Sequence, residues 1–166
     1  VLTINREDGY QLSTDPDRID VDLVHRWLST DAYWATGRPR ETVVRAVQGS
    51  IPFGIYRPGD GVQVAFARAV TDRATFAWLS DVYVDPAERG RGLGTWLAGT
   101  VRDELAAHGV RRILLATADA HGVYAKLGWD QLADPSHWMQ LDQRDQPVTT
   151  ITGKERSGGS PLTVDG

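Results

Sequence analysis

The segment Asp85-Pro-Ala-Glu-Arg-Gly-Arg-Gly-Leu-Gly-Thr95 constrains this chain more than any other stretch. It follows Phe76–Val84, a run rich in aromatic and β-branched residues that reads as a strand. It precedes Thr95–His108, where Leu97, Val101 and Leu105 recur at helical spacing with Trp96 beside them and Gly109 as the stop. The segment therefore joins a strand to a helix. Gly90, Gly92 and Gly94 admit backbone conformations closed to other residues and let a ligand come close. The helix behind them points its free N–H groups into the loop, and its dipole adds roughly half a positive charge there. With the guanidinium groups of Arg89 and Arg91, these features make a site for a phosphate or pyrophosphate.

Three kinds of phosphate loop can be weighed against this spacing. A P-loop ends in Gly-Lys-Ser/Thr, whereas Gly94 is followed by Thr95 and Trp96. A dinucleotide fingerprint needs Gly-x-Gly-x-x-Gly; counting from Gly90 the last position is Thr95, and from Gly92 it is Leu97. The third pattern, Arg/Gln-x-x-Gly-x-Gly/Ala, is matched in order by Arg89, Gly92 and Gly94.

The remaining elements follow from periodicity and punctuation. Asp20 reads as the N-cap of a helix through Leu28, with Val21, Val24, Trp27 and Leu28 on its buried side. Ser29–Arg40 reads as a loop, and Pro39 as the first residue of a second helix to about Gln48. Ile51–Tyr56, Val62–Val70 and Phe76–Val84, separated by short turns, predict an antiparallel meander. Arg111–Thr117 reads as a strand that follows a helix, which implies a right-handed crossover to a parallel neighbour. His121–Leu127 reads as a short helix stopped by Gly128, with Trp129–Leu132 and Trp138–Leu141 as two last strands. The expected fold class is α/β of the α+β kind, a mixed and largely antiparallel sheet flanked by helices. Residues 1–141 form one domain in this reading, and the polar stretch 142–166 is a tail.

Composition excludes several functions. With 18 Lys and Arg against 22 Asp and Glu, the net charge of −4 disfavours nucleic acid and anionic membranes as partners. The chain has no cysteine, which removes disulfides, thiolate metal sites and a cysteine nucleophile. His25, His108 and His137 lack metal-ligand spacing with one another, so no metal is expected. No run of eighteen apolar residues is present, and Val1–Tyr10 does not read as a signal peptide. A cytoplasmic location is the expectation compatible with these features.

The pattern resembles the GNAT superfamily of N-acetyltransferases. Leu79-Ser-Asp-Val-Tyr-Val-Asp-Pro86 is similar to that family's central strand, and Arg89–Gly94 to its pyrophosphate loop. His121-Gly-Val-Tyr-Ala-Lys-Leu-Gly-Trp129 is similar to its later segment, where a tyrosine precedes a Gly-Phe-like pair. These segments occur in the family's order across Phe76–Leu132. The resemblance implies a sheet splayed between the strand ending at Val84 and the one at Arg111–Thr117. It implies acetyl-CoA as co-substrate, with its pantetheine arm along Val82, Tyr83 and Val84. The pyrophosphate would lie on Arg89, Gly90, Arg91, Gly92, Leu93, Gly94 and Thr95. It also implies direct transfer to a primary amine of a small molecule, which agrees with the absence of cysteine, and a homodimer as the expected assembly.

Roles for single residues follow from the same resemblance. Tyr124 matches the family tyrosine and is the candidate general acid for the leaving thiolate. Asp81, on the central strand, is a candidate to accept the amine proton or bind an ammonium; alternatively it pairs with Arg68 across the sheet. His121, at the start of the short helix, is placed near the thiol end as a base or pantetheine contact, and Asp119 is read as that helix's N-cap. Tyr33, Trp34, Arg38, Trp78 and Trp138 are candidates for the acceptor pocket, whose aromatic walls and arginine suit an aromatic or carboxylate-bearing amine. Two other readings remain, a weakly catalytic acyl-CoA-binding sensor and an acetyltransferase acting on a peptide or protein amine.

Overall fold

The computed structural model describes residues 1–145. Strands β1 (Thr3–Asn5) and β2 (Gln11–Ser13) precede helices α1 (Val21–Thr30) and α2 (Arg40–Gln48). A meander follows, β3 (Ile51–Tyr56), β4 (Gln63–Thr71) and β5 (Ala77–Val84), then α3 (Leu93–Ala107), β6 (Ile113–Leu114) and α4 (His121–Ala125). The six strands form one sheet in chain order, antiparallel throughout except for the parallel pair β5–β6. This is the mixed, largely antiparallel sheet with flanking helices that the sequence predicts. The chain divides into two compact units, Val1–Gln131 and the residues from Leu132 onward, whereas the sequence reading put the break after Leu141. Of the expected polar tail, 146–166 lie outside the described residues.

In the first unit the sheet is covered on both faces. On one side Leu97, Val101 and Leu105 of α3 pack with Leu12, Phe53 and Ile55 of the sheet. On the other, Trp27, Leu28, Val43 and Val47 of α1 and α2 pack with Phe66 and Tyr83. Successive residues of a strand point to opposite faces, so β4 sends Phe66 to one cluster and Ala65 and Ala67 to the other. Residues 63–67 of β4 are consequently all buried. The Asp20 carboxylate does cap α1, accepting from the Leu23 amide at 2.9 Å. Pro39 stands one position earlier than expected, as the extended N-cap residue of α2 rather than its first helical residue.

Four differences from the sequence reading have physical causes. The hairpin β1–β2 was not expected, because its three-residue strands are too short to carry a period; it exists by pairing with β3. The strand expected over Arg111–Thr117 contracts to Ile113–Leu114, which pair only with Ala77 and Trp78. Beyond them β5 and the following chain diverge, and the cause lies in β5. Arg68 pairs with Ser80 but Phe66 pairs with Tyr83, so Ala67 alone faces both Asp81 and Val82. This is a β-bulge, with Asp81 in the left-handed region at φ 53°, and a bulge bends and twists its strand. The expected last strands at Trp129–Leu132 and Trp138–Leu141 do not form. The Trp129 amide instead closes the end of α4 on the Tyr124 carbonyl at 3.1 Å, and Asp134 and Pro135 start a 3₁₀ turn over Pro135–His137.

Candidate active site

The divergence of β5 from the chain after β6 opens a cleft of about 550 Å3. One wall is Val82–Val84 of β5, a strand that has β4 on its other side. The opposite wall runs from Asp119 to Tyr124, the loop before α3 closes one end, and Tyr33 and Trp34 stand over the cleft.

The loop end is shaped by its own sequence. Asp85 accepts from the Ala87 amide at 2.9 Å and starts a 3₁₀ turn over Pro86–Glu88. Gly90 and Gly92 then take φ of 81° and 73°, values that a side chain would strain. Gly92 leads directly into α3. No side chain caps that helix, and the Trp96 amide bonds the Gly92 carbonyl at 3.0 Å, so the first-turn amides of Leu93, Gly94 and Thr95 stand at the cleft.

Two carboxylates hold this loop, and sequence spacing showed neither role. Glu88 is buried and accepts from the Tyr10 hydroxyl at 2.5 Å and Arg57 Nη1 at 3.1 Å, and pairs with Arg91 Nε at 3.2 Å. The Tyr10 hydroxyl first, then the arginines, hold its carboxyl below the usual range. Arg91 is thereby turned toward Glu88 and does not line the cleft. Asp31 accepts from the Tyr83 hydroxyl at 2.5 Å and lies 3.4 Å from Arg89 Nη2. Arg89 also donates through Nε to the Val84 carbonyl at 3.0 Å, and its guanidinium lies over the Tyr83 ring. Tyr10, Arg57 and Asp31 are far from the loop in the chain, which is why spacing could not find them.

Tyr124 is 9% exposed and lines the cleft, its ring edge-on to Trp129 with centroids 5.9 Å apart. Burial, and then the charge of Asp119, push its phenol up to about 12, so it holds its proton at neutral pH. Asp119 does not cap α4 as expected. The N-cap position is Ala120, whose amide bonds Thr117 Oγ1 at 3.0 Å, and the exposed Asp119 lines the cleft instead.

Asp81 lies at the bulge with its side chain 1% exposed. Its carboxylate accepts from Arg68 Nε at 2.6 Å, Arg38 Nη1 at 2.8 Å and Trp34 Nε1 at 3.1 Å. Burial alone would raise its pKa, but Arg68 and then Arg38 outweigh it and hold the carboxyl below the usual range. A carboxylate so engaged is a weak proton acceptor at neutral pH.

The structure brings three of the six other sequence candidates together, Tyr33, Trp34 and Arg38. Tyr33 and Trp34 pack edge to face, and the Tyr33 hydroxyl accepts from the Ala118 amide at 3.2 Å across the cleft. Arg38 reaches the site through Asp81. His121 is exposed at the start of α4 and does not line the cleft. Trp78 sits at the paired end of β5, opposite Val70 and Leu114, also away from the cleft. Trp138 belongs to the second unit, just after the Pro135–His137 turn. No group of three or more His, Asp or Glu among the described residues could hold a metal ion, and none of their helices is long and apolar enough to cross a membrane.

The divergent sheet, the glycine turn into an uncapped helix and the cleft between them form one continuous site. Residues 21–129 match the GNAT acetyltransferase family, and this chain belongs to that family. It is 34% identical over 136 residues to a Gibberella zeae protein provisionally assigned as an acetyltransferase, covering 70% of this chain and 76% of that one. A crystal structure from Xanthomonas campestris, likewise provisionally assigned as a GNAT acetyltransferase, matches with a TM-score of 0.76 and 43% identity over 81% of this chain and 93% of its own. A Clostridium acetobutylicum protein whose crystal structure contains acetyl-CoA shares the fold, with a TM-score of 0.62 and 17% identity over 82% and 97% of the two chains. The expected family and fold are thereby established, and the protein is a GNAT acetyltransferase.

Proposed function

We propose that this protein transfers the acetyl group of acetyl-CoA directly to a primary amine of a small molecule. The observation that carries the reading is a continuous path: from the uncapped start of α3, along the open edge of β5 at Val82–Val84, to the Tyr124 side chain. The residues present fit a diphosphate carrier. Positive-φ glycines clear the approach, and helix amides meet the charge. When bound, acetyl-CoA supplies a thioester carbonyl as electrophile and a thiolate as leaving group.

In this reading Leu93, Gly94 and Thr95 donate their amides to the diphosphate, with Arg89 beside them. The edge of β5 bonds the amide-bearing arm as an added strand would. The neutral amine forms the new C–N bond with its lone pair, and the C–S bond breaks with its electron pair going to sulfur. Tyr124, held in its acid form, donates its hydroxyl proton to that sulfur and is reprotonated from solvent. The proton released by the nitrogen leaves through the open cleft. Asp81 keeps its charge and acts as an anchor for the bulge and its arginines rather than as the base.

The test is mass detection of acetylated products from a mixed amine library, free-amino peptides included, with wild type and Tyr124→Phe side by side. Acetylated small amines, made far more slowly by the variant, support the reading. Products confined to peptides would move the acceptor class. Tight binding of acetyl-CoA with no product from any amine would leave only a carrier-binding module.

A further inference from the structure

The cation balance around Asp81 bears on the acceptor. Arg38 and Arg68 both donate to one oxygen of this carboxylate, Oδ2, while Oδ1 takes the Trp34 indole N–H. Two guanidinium charges thus face a single carboxylate charge. Among the described residues, the other side-chain hydrogen bond of this group is neutral: Arg68 Nη2 donates to Ser80 Oγ at 3.2 Å. The two side chains are 15% and 21% exposed, so water reaches the surplus charge only in part. A half-buried cation of this kind is stabilised by an anion that completes the pairing.

Its position decides which anion. The phosphate loop lies at the C-terminal end of β5, and the open strand edge runs back from Val84 to Val82. Asp81 and Ser80 are the next residues along the same strand, farther from the loop before α3. Trp34, which lines the cleft, bonds the carboxylate that both arginines share, so the cluster adjoins the cleft behind Trp34. The carrier's own phosphates are served at the opposite end.

Building on the acetyl-transfer reading, we propose that the acceptor bears an oxyanion, a carboxylate or phosphate, beside its amine, and that Arg38 and Arg68 hold it while the amine faces the thioester. Arg38, from the α1–α2 connection, bonds Asp81 through Nη1 alone among the described residues, which leaves Nε and Nη2 for this anion, and Arg68, fixed by Asp81 and Ser80, sets its position.

The experiment measures thiol release from acetyl-CoA with matched amine pairs: amino acids against their carboxamides, and amino sugar phosphates against the unphosphorylated sugars. The anionic member of at least one pair type is expected to have kcat/KM higher by about tenfold or more, the effect of one charge-assisted hydrogen-bond pair. Which type wins separates carboxylate from phosphate. Arg38→Gln, which leaves Asp81 paired with Arg68, is expected to bring the ratio within the pair close to one, mainly through KM, and Arg38→Lys to restore part of it. A merely structural ion pair would lower both members of a pair equally and leave the ratio unmoved. Turnover of amines without preference for the anion, or an unmoved ratio in Arg38→Gln, overturns this proposal and leaves acetyl transfer standing. Absence of acetyl-CoA binding by calorimetry, or of any amine turnover, overturns both.

Discussion

Replacing Asp81 by Asn and by Ala separates two loads that one residue carries. The carboxylate is 1% exposed and accepts from two arginines and an indole, while its backbone sits at φ 53° in the bulge of β5. Asn keeps the size and tolerates the left-handed conformation, so Asp81→Asn removes the charge alone. Taking one partner from a buried ion pair costs about 3–5 kcal/mol, because the remaining charges stay buried without compensation. Ala adds the left-handed backbone penalty of about 1–2 kcal/mol, so it is expected to be the less stable variant by that amount. Urea unfolding at constant pH measures both values.

The pH dependence carries a definite sign. Because the folded pKa of Asp81 lies below its unfolded value, its contribution is complete above the unfolded pKa and is lost as pH falls through the folded one. The gap between wild type and Asp81→Asn is therefore widest near neutrality and begins to narrow below about pH 5, where the unfolded carboxyl starts to protonate. An Asn variant within about 0.5 kcal/mol of wild type at pH 7, the range of an ordinary surface change, would refute the reasoning. So would a gap that grows on acidification.

Three further outcomes are expected. Tyr124→Phe lowers kcat by about a hundredfold or more with a small change in the KM for acetyl-CoA, and since the phenol is pushed up to about 12, wild type shows no loss of rate from its ionisation near the ordinary tyrosine value; steady-state kinetics against pH check both. Glu88→Gln weakens three contacts behind the phosphate loop, from Tyr10, Arg57 and Arg91, and is expected to raise the acetyl-CoA dissociation constant about tenfold in calorimetry and cost about 1–3 kcal/mol in unfolding. Gly92→Ala forces a side chain onto φ 73° at the entrance to α3; about 1–2 kcal/mol of stability and most of the carrier affinity are expected to go, measured by thermal unfolding and calorimetry.

The sequence by itself determined the local elements and the loop. The Asp20 cap, the apolar stripe of α1, the three-strand meander and the glycine turn into α3 are all written in near neighbours, where period and punctuation are decisive. A resemblance that spans the strand, the loop and the later segment also singled out Tyr124 and Val82–Val84, which line one cleft in the structure. Only the tertiary structure decided what depends on distant partners. The partners of Asp81, Arg38 and Arg68, arrive from other elements. Tyr10 and Arg57 meet Glu88 behind the glycine loop, and Asp31 meets Tyr83 and Arg89, across separations that carry no sequence signal. The short β6 had the same origin: a bulge in β5 bends the strand away from its parallel neighbour, and the register of strand pairing is a property of two strands at once.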